Sequence, residues 1–357
     1  MPAPRPEQTP PARPPPARCQ PAVSRPSARC PLPDCPGPKR PGTGGPYDAR
    51  TERSRTTVRA ARTAVRPYPP PSDRPRTTRP RDHVSLHPSL QSYADAWTHS
   101  VEAILELVQP LPEAQWNLAT PCPAWSVRDV VSHVIGLDCE MLGDPRPIHT
   151  LPRDLYHVRT DLQRYMEMQV DVRRHHTGPE MTAELEYTII RRSRQLRNET
   201  REPSATLRGP LGTETTLEAA MRLRAFDVWL HEQDLRTALG QPGNLDSPGA
   251  LVTRDMLLAG LAKVVAREAG APPGTAVVVD VQGPVEFLRT VRVDAEGRGS
   301  VDGSPSLGPA VTLSLDWETY IRLAAGRVRH PAVGDRVKTE GDAELAQAIL
   351  DNFAVTP

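Results

Sequence analysis

The chain has 357 residues, 42 of them proline, with 44 basic and 43 acidic side chains and a formal net charge of +1. That balance hides two opposed segments. Residues 1–80 hold 22 prolines, 16 basic and 5 acidic residues, a net of +11, and 81–357 hold the other 28 basic and 38 acidic residues, a net of −10. A segment more than a quarter proline, with few large apolar residues, cannot bury enough surface to offset its ordering entropy. Residues 1–84 are therefore expected to form a disordered extension, and the rest suffices for two modest domains, 85–245 and 246–357.

No run of about 18 apolar residues is present, so no membrane span is expected. No basic start leads into an apolar core, so no secretory signal is expected either. The extension is Arg-rich and acid-poor like a transit peptide, but eight prolines in its first sixteen positions forbid the amphipathic helix such a peptide needs. It reads either as a polyanion-binding arm, or as a solvated tail, or as sequence that is not translated at all. Its charges are spread and aromatics are nearly absent, so no nucleic-acid partner is expected. Val84, just ahead of the first helical pattern, is a candidate alternative start. Of five cysteines, Cys19, Cys30 and Cys35 lie in the extension, and Cys122 and Cys139 make no disulfide framework. A reducing cytoplasm fits this usage.

From Ser89 the texture changes. Leu90, Tyr93, Ala94, Trp97, Val101, Ile104, Leu105 and Val108 recur at three-and-four spacing and predict an amphipathic helix that Pro110 and Pro112 end. A loop from Trp116 to Trp125 follows. Ser126 and Asp129 then form a capping box, opening a helix with Val127, Val130, Val131, Val134 and Ile135 on one face. Residues 154–170 and 180–200 read as further helices, and Thr213 to Leu239 as a long one stopped by Gly240 and Pro242. Four striped helices suggest a bundle. Beyond Pro248 a helix over 250–268 leads to strand-like runs Ala276–Val281, Phe287–Val293 and Val311–Leu315, with helices at 316–325 and 342–353. This predicts a small α+β domain with an antiparallel sheet.

The long helix carries an unusual polar group. Asp227 and His231 are i and i+4, so they stack on one face, at the edge of the apolar stripe. Asp234 lies beside them and Arg224 falls almost in mid-stripe. On the capped helix His133 sits at the edge of the apolar face. Two imidazoles and a carboxylate can supply three ligands to a zinc-like ion and leave a fourth position open, the mark of a catalytic site. The plainer alternative is a pair of hydrogen-bonded core histidines with Arg224 salt-bridged to Asp227. Cys122, just ahead of a helix N-terminus, is either a favoured thiolate or a packing residue of the Trp116/Trp125 loop. No P-loop, Gly-x-Gly-x-x-Gly, Gly-x-Ser-x-Gly or paired Cys-x-x-Cys motif is present.

The run Thr120-Pro121-Cys122-Pro123-Ala124-Trp125-Ser126-Val127-Arg128-Asp129-Val130-Val131-Ser132-His133 resembles the family of mycothiol-dependent maleylpyruvate isomerase-like proteins. So do Arg224-Ala225-Phe226-Asp227-Val228-Trp229-Leu230-His231-Glu232-Gln233-Asp234 and the stretch from Leu313-Ser314-Leu315-Asp316-Trp317 through Gly326-Arg327 to the end. The match begins near residue 88. The resemblance implies a DinB-like four-helix bundle followed by a small sterol-carrier-like domain, and a divalent metal, typically zinc, held by His133, Asp227 and His231. It also implies a catalytic arginine from the second domain, best matched by Arg327, with Arg322 as the fallback. The family's isomerase is similar except at the acidic ligand, where it carries glutamate and this chain the shorter Asp227.

By the same resemblance, a metal-bound small thiol, mycothiol, loses its proton and adds to a small electrophilic substrate. Addition to a cis double bond allows rotation, and expulsion gives the trans isomer. The same activation would serve an S-transferase. Two other readings stand beside this one: a non-catalytic metal-binding regulatory or stress-related bundle, and a carrier of a lipid-like ligand in the second domain. The charged strands of that short domain leave little room for an apolar tunnel.

Overall fold

The computed structural model describes residues 86–304 and 306–356. The expected disordered extension over 1–84 and the candidate start at Val84 lie outside the described residues.

Helix α1 (Pro88–Val108) opens with a proline in its first turn and with His87 Nδ1 accepting from the Ser89 amide. Helix α2 (Val127–Met141) opens on the expected capping box: Ser126 Oγ accepts from Asp129 N at 3.3 Å, and the Asp129 carboxylate accepts from Ser126 N at 2.9 Å. Helix α3 (Asp161–Asp171) starts later than the sequence pattern suggests. A second capping box, Thr160 with Gln163, fixes its first turn and leaves 154–159 as irregular chain. Helix α4 (Gly178–Arg197) follows.

The long helix expected from Thr213 begins instead at Leu217. Strands β1 (Thr206–Arg208) and β2 (Glu214–Thr216) form an antiparallel ribbon ahead of it. Thr216 then caps α5 (Leu217–Leu239) by accepting from Ala219 N at 3.1 Å. The β-branched threonines at 213, 215 and 216 favour the ribbon over a further helical turn. At the other end, Gly240 takes the left-handed conformation, φ 65°, that closes the helix.

Helix α1 packs along α5 and α4, and α2 packs against α4 and α5, which makes a four-helix bundle with α3 on the outer side of α2. Leu90, Trp97, Ile104, Val130, Val134, Met181, Leu185, Val228 and Leu235 fill its core.

Helix α6 (Pro248–Lys263) lies on α5 and α1 and ends in a single π-helical turn to Glu268. A five-stranded sheet follows, in the order β5-β4-β3-β6-β7. Its strands are β3 (Ala276–Gln282), β4 (Phe287–Val293), β5 (Gly299–Asp302), β6 (Val311–Asp316) and β7 (Val337–Gly341). The expected antiparallel sheet is present at three of its four pairings; the central strand β3 and its neighbour β6 run parallel. After the β4–β5 excursion the chain returns on the other side of β3 in the same direction. Helix α7 (Trp317–Ala324) and helix α8 (Ala343–Asp351) complete this α+β part.

Helix α5 belongs to two cores. Leu217, Met221, Val228 and Leu235 face the bundle, while Phe226, Trp229 and Leu230 pack with Leu257, Val279 and Trp317 of the second part. The Trp229 and Trp317 rings lie 6.1 Å apart, and their indole N–H groups donate to Asn244 O and Leu245 O in the connecting loop. Gly249 is required at this seam: a Cβ there would lie 2.6 Å from Trp229 Cδ1 and 2.8 Å from Ser100 Oγ. Among the described residues no helix is long and apolar enough to cross a membrane.

Candidate metal centre

The interior of the bundle gathers polar groups from α2, α5 and the Trp116–Trp125 loop. His133 on α2 is 4% exposed and His231 on α5 is 5% exposed. Each directs its Nε2 at the same atom, Asp227 Oδ1, at 3.4 Å. The two imidazole centroids are 4.8 Å apart at 71°. The three ligand atoms lie within 4.8 Å of one another. The i, i+4 pair of α5 and the edge histidine of α2 are thus brought together.

The other carboxylate oxygen of Asp227 is held separately. Arg224 donates to Asp227 Oδ2, so the salt bridge weighed from the sequence exists alongside the cluster and does not replace it. Arg224 is itself fixed from α2: Nε donates to Asp138 Oδ1 at 3.0 Å and Nη2 to Val134 O at 2.6 Å. Trp97 Nε1 donates to Asp138 Oδ2 at 3.2 Å. A buried charge is tolerated only when paired and hydrogen-bonded, and Asp138 and Asp227 satisfy Arg224 in that way.

Burial holds the His133 imidazole below its usual range, so it stays neutral. Burial acts against the charged forms of Asp227 and His231 too, but their mutual attraction outweighs it. Asp227 is held well below the carboxylate range with both histidines assisting, and His231 is raised well above the imidazole range by Asp227 and Asp234. Without a cation, a proton on His231 therefore supplies the positive charge that this cluster needs. His133 Nδ1 has no hydrogen-bond partner among the described residues. Two imidazole nitrogens and a carboxylate oxygen converging in a buried, anionic site are a donor set that fits a divalent cation of zinc type.

A second group, Cys122, His231 and Asp234, also has ligand atoms within 4.8 Å of one another. There the positive charge is already present. Arg327, from the turn after α7, places Nε 2.9 Å from Asp234 Oδ1 and Nη2 3.0 Å from Asp234 Oδ2. The Cys122 thiol donates to Asp234 Oδ2 at 3.1 Å. Burial and the Asp234 charge push the Cys122 thiol up, so the helix-start position does not make it a thiolate. Burial opposes ionisation of Asp234, yet His231 and Arg327 bring its carboxyl down to about 2.

Trp125 roofs the cluster. Its ring centroid lies 5.0 Å from that of His133 and 6.0 Å from that of His231, and its Nε1 donates to Glu167 Oε2 at 3.0 Å. Asp138, the bonds of Cys122 and Arg327 to Asp234, and the contacts of Trp125 are not visible in local spacing, whereas the bond from Asp234 to His231 follows from their i, i+3 positions on α5. The placement of Asp138 on the buried side of α2 is the one signal that points toward them.

A bundle with a two-histidine, one-carboxylate cluster, joined to a small α+β part that reaches into it, is the class that this fold and site define. Residues 97–236 match the mycothiol maleylpyruvate isomerase N-terminal domain, and residues 252–348 match the MDMPI C-terminal domain. The chain belongs to the mycothiol-dependent maleylpyruvate isomerase family. It is similar to the crystal structure of the mycothiol-dependent maleylpyruvate isomerase at 15% identity, over 71% of this chain and 94% of that one, with a TM-score of 0.44. It is also similar to Sterol Carrier Protein 2 from Yarrowia lipolytica at 20% identity, over 28% of this chain and 88% of that one, with a TM-score of 0.22. Sterol Carrier Protein 2 Like 2 from Aedes aegypti gives 16% identity, 28% and 96% coverage, and a TM-score of 0.22. No curated protein matches the sequence.

Proposed function

We propose that the chain is a metal-dependent, thiol-dependent isomerase or S-transferase resembling maleylpyruvate isomerase, using zinc and mycothiol in a reducing cytoplasm. The observation that carries this reading is the convergence of His133 Nε2 and His231 Nε2 on Asp227 Oδ1 in a buried cluster. The family membership supports the small thiol and the small electrophilic substrate as partners.

His133, Asp227 and His231 would hold the cation. When bound, it would supply a positive charge that stabilises the thiolate of a small thiol at neutral pH. Arg224 keeps Asp227 turned so that only Oδ1 faces the histidines. Trp125 shields the imidazole faces from water, while the Asp227 side chain remains 23% exposed and marks the approach. Arg327 has five N–H donors. Two of them bond Asp234 and one bonds Ala325 O, and the remaining two serve a substrate carboxylate as a charge-assisted pair. In this role Arg327 is the catalytic residue, steadying negative charge as it develops on the substrate.

Elemental analysis of the purified chain is expected to find about one zinc per molecule, lost in His231→Ala. Metal-free wild type would overturn the centre. With mycothiol and maleylpyruvate a spectral change of isomerisation is expected, and activity on a different electrophile would move the substrate assignment only. The non-catalytic metal-binding reading is favoured by one observation, the engagement of Arg327 by Asp234. Zinc uptake without any thiol-dependent turnover would select it.

A further inference from the structure

Resting on the metal-centre reading above, we propose that Asp234 is the positioning residue of that centre, fixing His231 in the tautomer that ligates, and that Arg327 acts on the metal ligand through Asp234. Asp234 lies on α5 one turn beyond His231 and is 3% exposed. Its Oδ2 is 3.1 Å from His231 Nδ1. An ionised carboxylate only accepts, so the imidazole nitrogen facing it carries the hydrogen. In the neutral ring that ligation requires, the lone pair of His231 is then left on Nε2, the atom that faces Asp227 Oδ1 and His133. A ring free at Nδ1 would divide itself between two tautomers and two orientations, and only one of these presents Nε2 as a ligand.

Three donors converge on the same carboxylate from three parts of the chain. His231 Nδ1 comes from α5 itself, the Cys122 thiol from the loop before α2, and the Arg327 guanidinium from the turn after α7. Arg327 lies across both oxygens, with Nε on Oδ1 and Nη2 on Oδ2, which sets the plane of the carboxylate. That plane decides whether Oδ2 points at His231. The Arg327 turn is itself braced. Gly326 takes φ 67°, Arg327 N donates to Arg322 O at 2.8 Å, and Val355 N of the C-terminal segment donates to Ala324 O at 2.8 Å.

The support is one-sided. His133, on the far side of the cluster, has no hydrogen-bond partner at Nδ1 among the described residues. The preorganisation of the histidine pair therefore rests on Asp234. It follows that Arg327, placed over the site as a substrate contact, has a second duty toward the metal.

The test is zinc affinity, measured on the full chain by competition with a chromophoric chelator. Asp234→Ala is expected to bind zinc about 10–100-fold more weakly than wild type. Asp234→Asn, which keeps an acceptor oxygen but not the charge, is expected to fall between them. Since Asp234→Ala leaves the Arg327 charge stranded in the interior, the measurement is also made on Asp234→Ala/Arg327→Ala, which removes both charges. Any change that Arg327→Ala makes in the wild-type background is expected to vanish in the Asp234→Ala background. Nitrogen-15 NMR of the zinc-loaded wild type is expected to show the His231 hydrogen on Nδ1. Zinc affinities within twofold of wild type in the Asp234 variants, with only thermal stability altered, overturn the proposal, as does a hydrogen on His231 Nε2. Wild-type protein that takes up no zinc overturns the metal centre itself and this inference with it.

Discussion

Ala124 carries the backbone cost of the site. It is a non-glycine residue at φ 68°, where its Cβ crowds the following carbonyl. The conformation is held by a tight loop in which Trp125 N donates to Cys122 O at 3.1 Å and Thr120 N donates to Trp125 O at 3.0 Å. The loop delivers Cys122 to Asp234 and Trp125 to the histidines, so strain at one residue positions two side chains. Ala124→Gly is expected to raise stability by about 1 kcal/mol, because glycine adopts this region without the steric penalty. Chemical denaturation checks this, and a loss of stability would show that the loop is not strained there. At this scale the sequence was partly legible. Asp227 and His231 announce themselves by i, i+4 spacing, and His133 by its place on a capped helix. Asp234 shares the helix face of His231 by i, i+3 spacing, but its other partners, Arg327 and Cys122, lie 93 and 112 residues away in the chain. Local periodicity carries no information about such pairs.

Among the elements, those with strong local signals appear where expected: α1, the capped α2, α5 to its glycine stop, and the apolar strands β3, β4 and β6. The two edge strands were not foreseen. Strand β7 is exposed beyond Val337 and β5 has no fully buried residue, so neither has the alternation that marks a half-buried strand. The segment after α4 is also an element with its own chemistry. Glu199 accepts from Arg201 Nε at 2.9 Å and from the amides of Thr200 and Arg201. The Arg201 side-chain bond is the largest influence on it, and with the amides it overcomes burial to bring the carboxyl down to about 2. A folded-state value below the unfolded one means that this group stabilises the fold above the ordinary carboxylate range, and that the contribution fades as pH falls toward 2. Glu199→Gln is therefore expected to cost stability at pH 7 and little at pH 2. Equal losses at both values, measured by urea denaturation, would contradict the ionic origin.

For the molecule as a whole, the sharing of α5 is the dominant fact. The helix gives one apolar face to the bundle and another, built from Phe226, Trp229 and Leu230, to the second core, and the stripe that faces the bundle does not by itself reveal this second packing partner. A chain ended at residue 245 is expected to expose Phe226, Trp229 and Leu230, to bind a hydrophobic dye and to self-associate. Size-exclusion chromatography with dye fluorescence checks this, and a dye-silent monomer would contradict the shared core. The same geometry imposes an order on biosynthesis. Arg327 is made 93 residues after Asp234, an interval of roughly 5–20 s at ordinary translation speed. Throughout it helix α5 waits with one apolar face uncovered and its Asp234 without the guanidinium. The nascent bundle can bring His133, Asp227 and His231 together, but Asp234 gains the Arg327 guanidinium only when the second part has docked, so the polar cluster is complete only after the turn beyond α7 has been made.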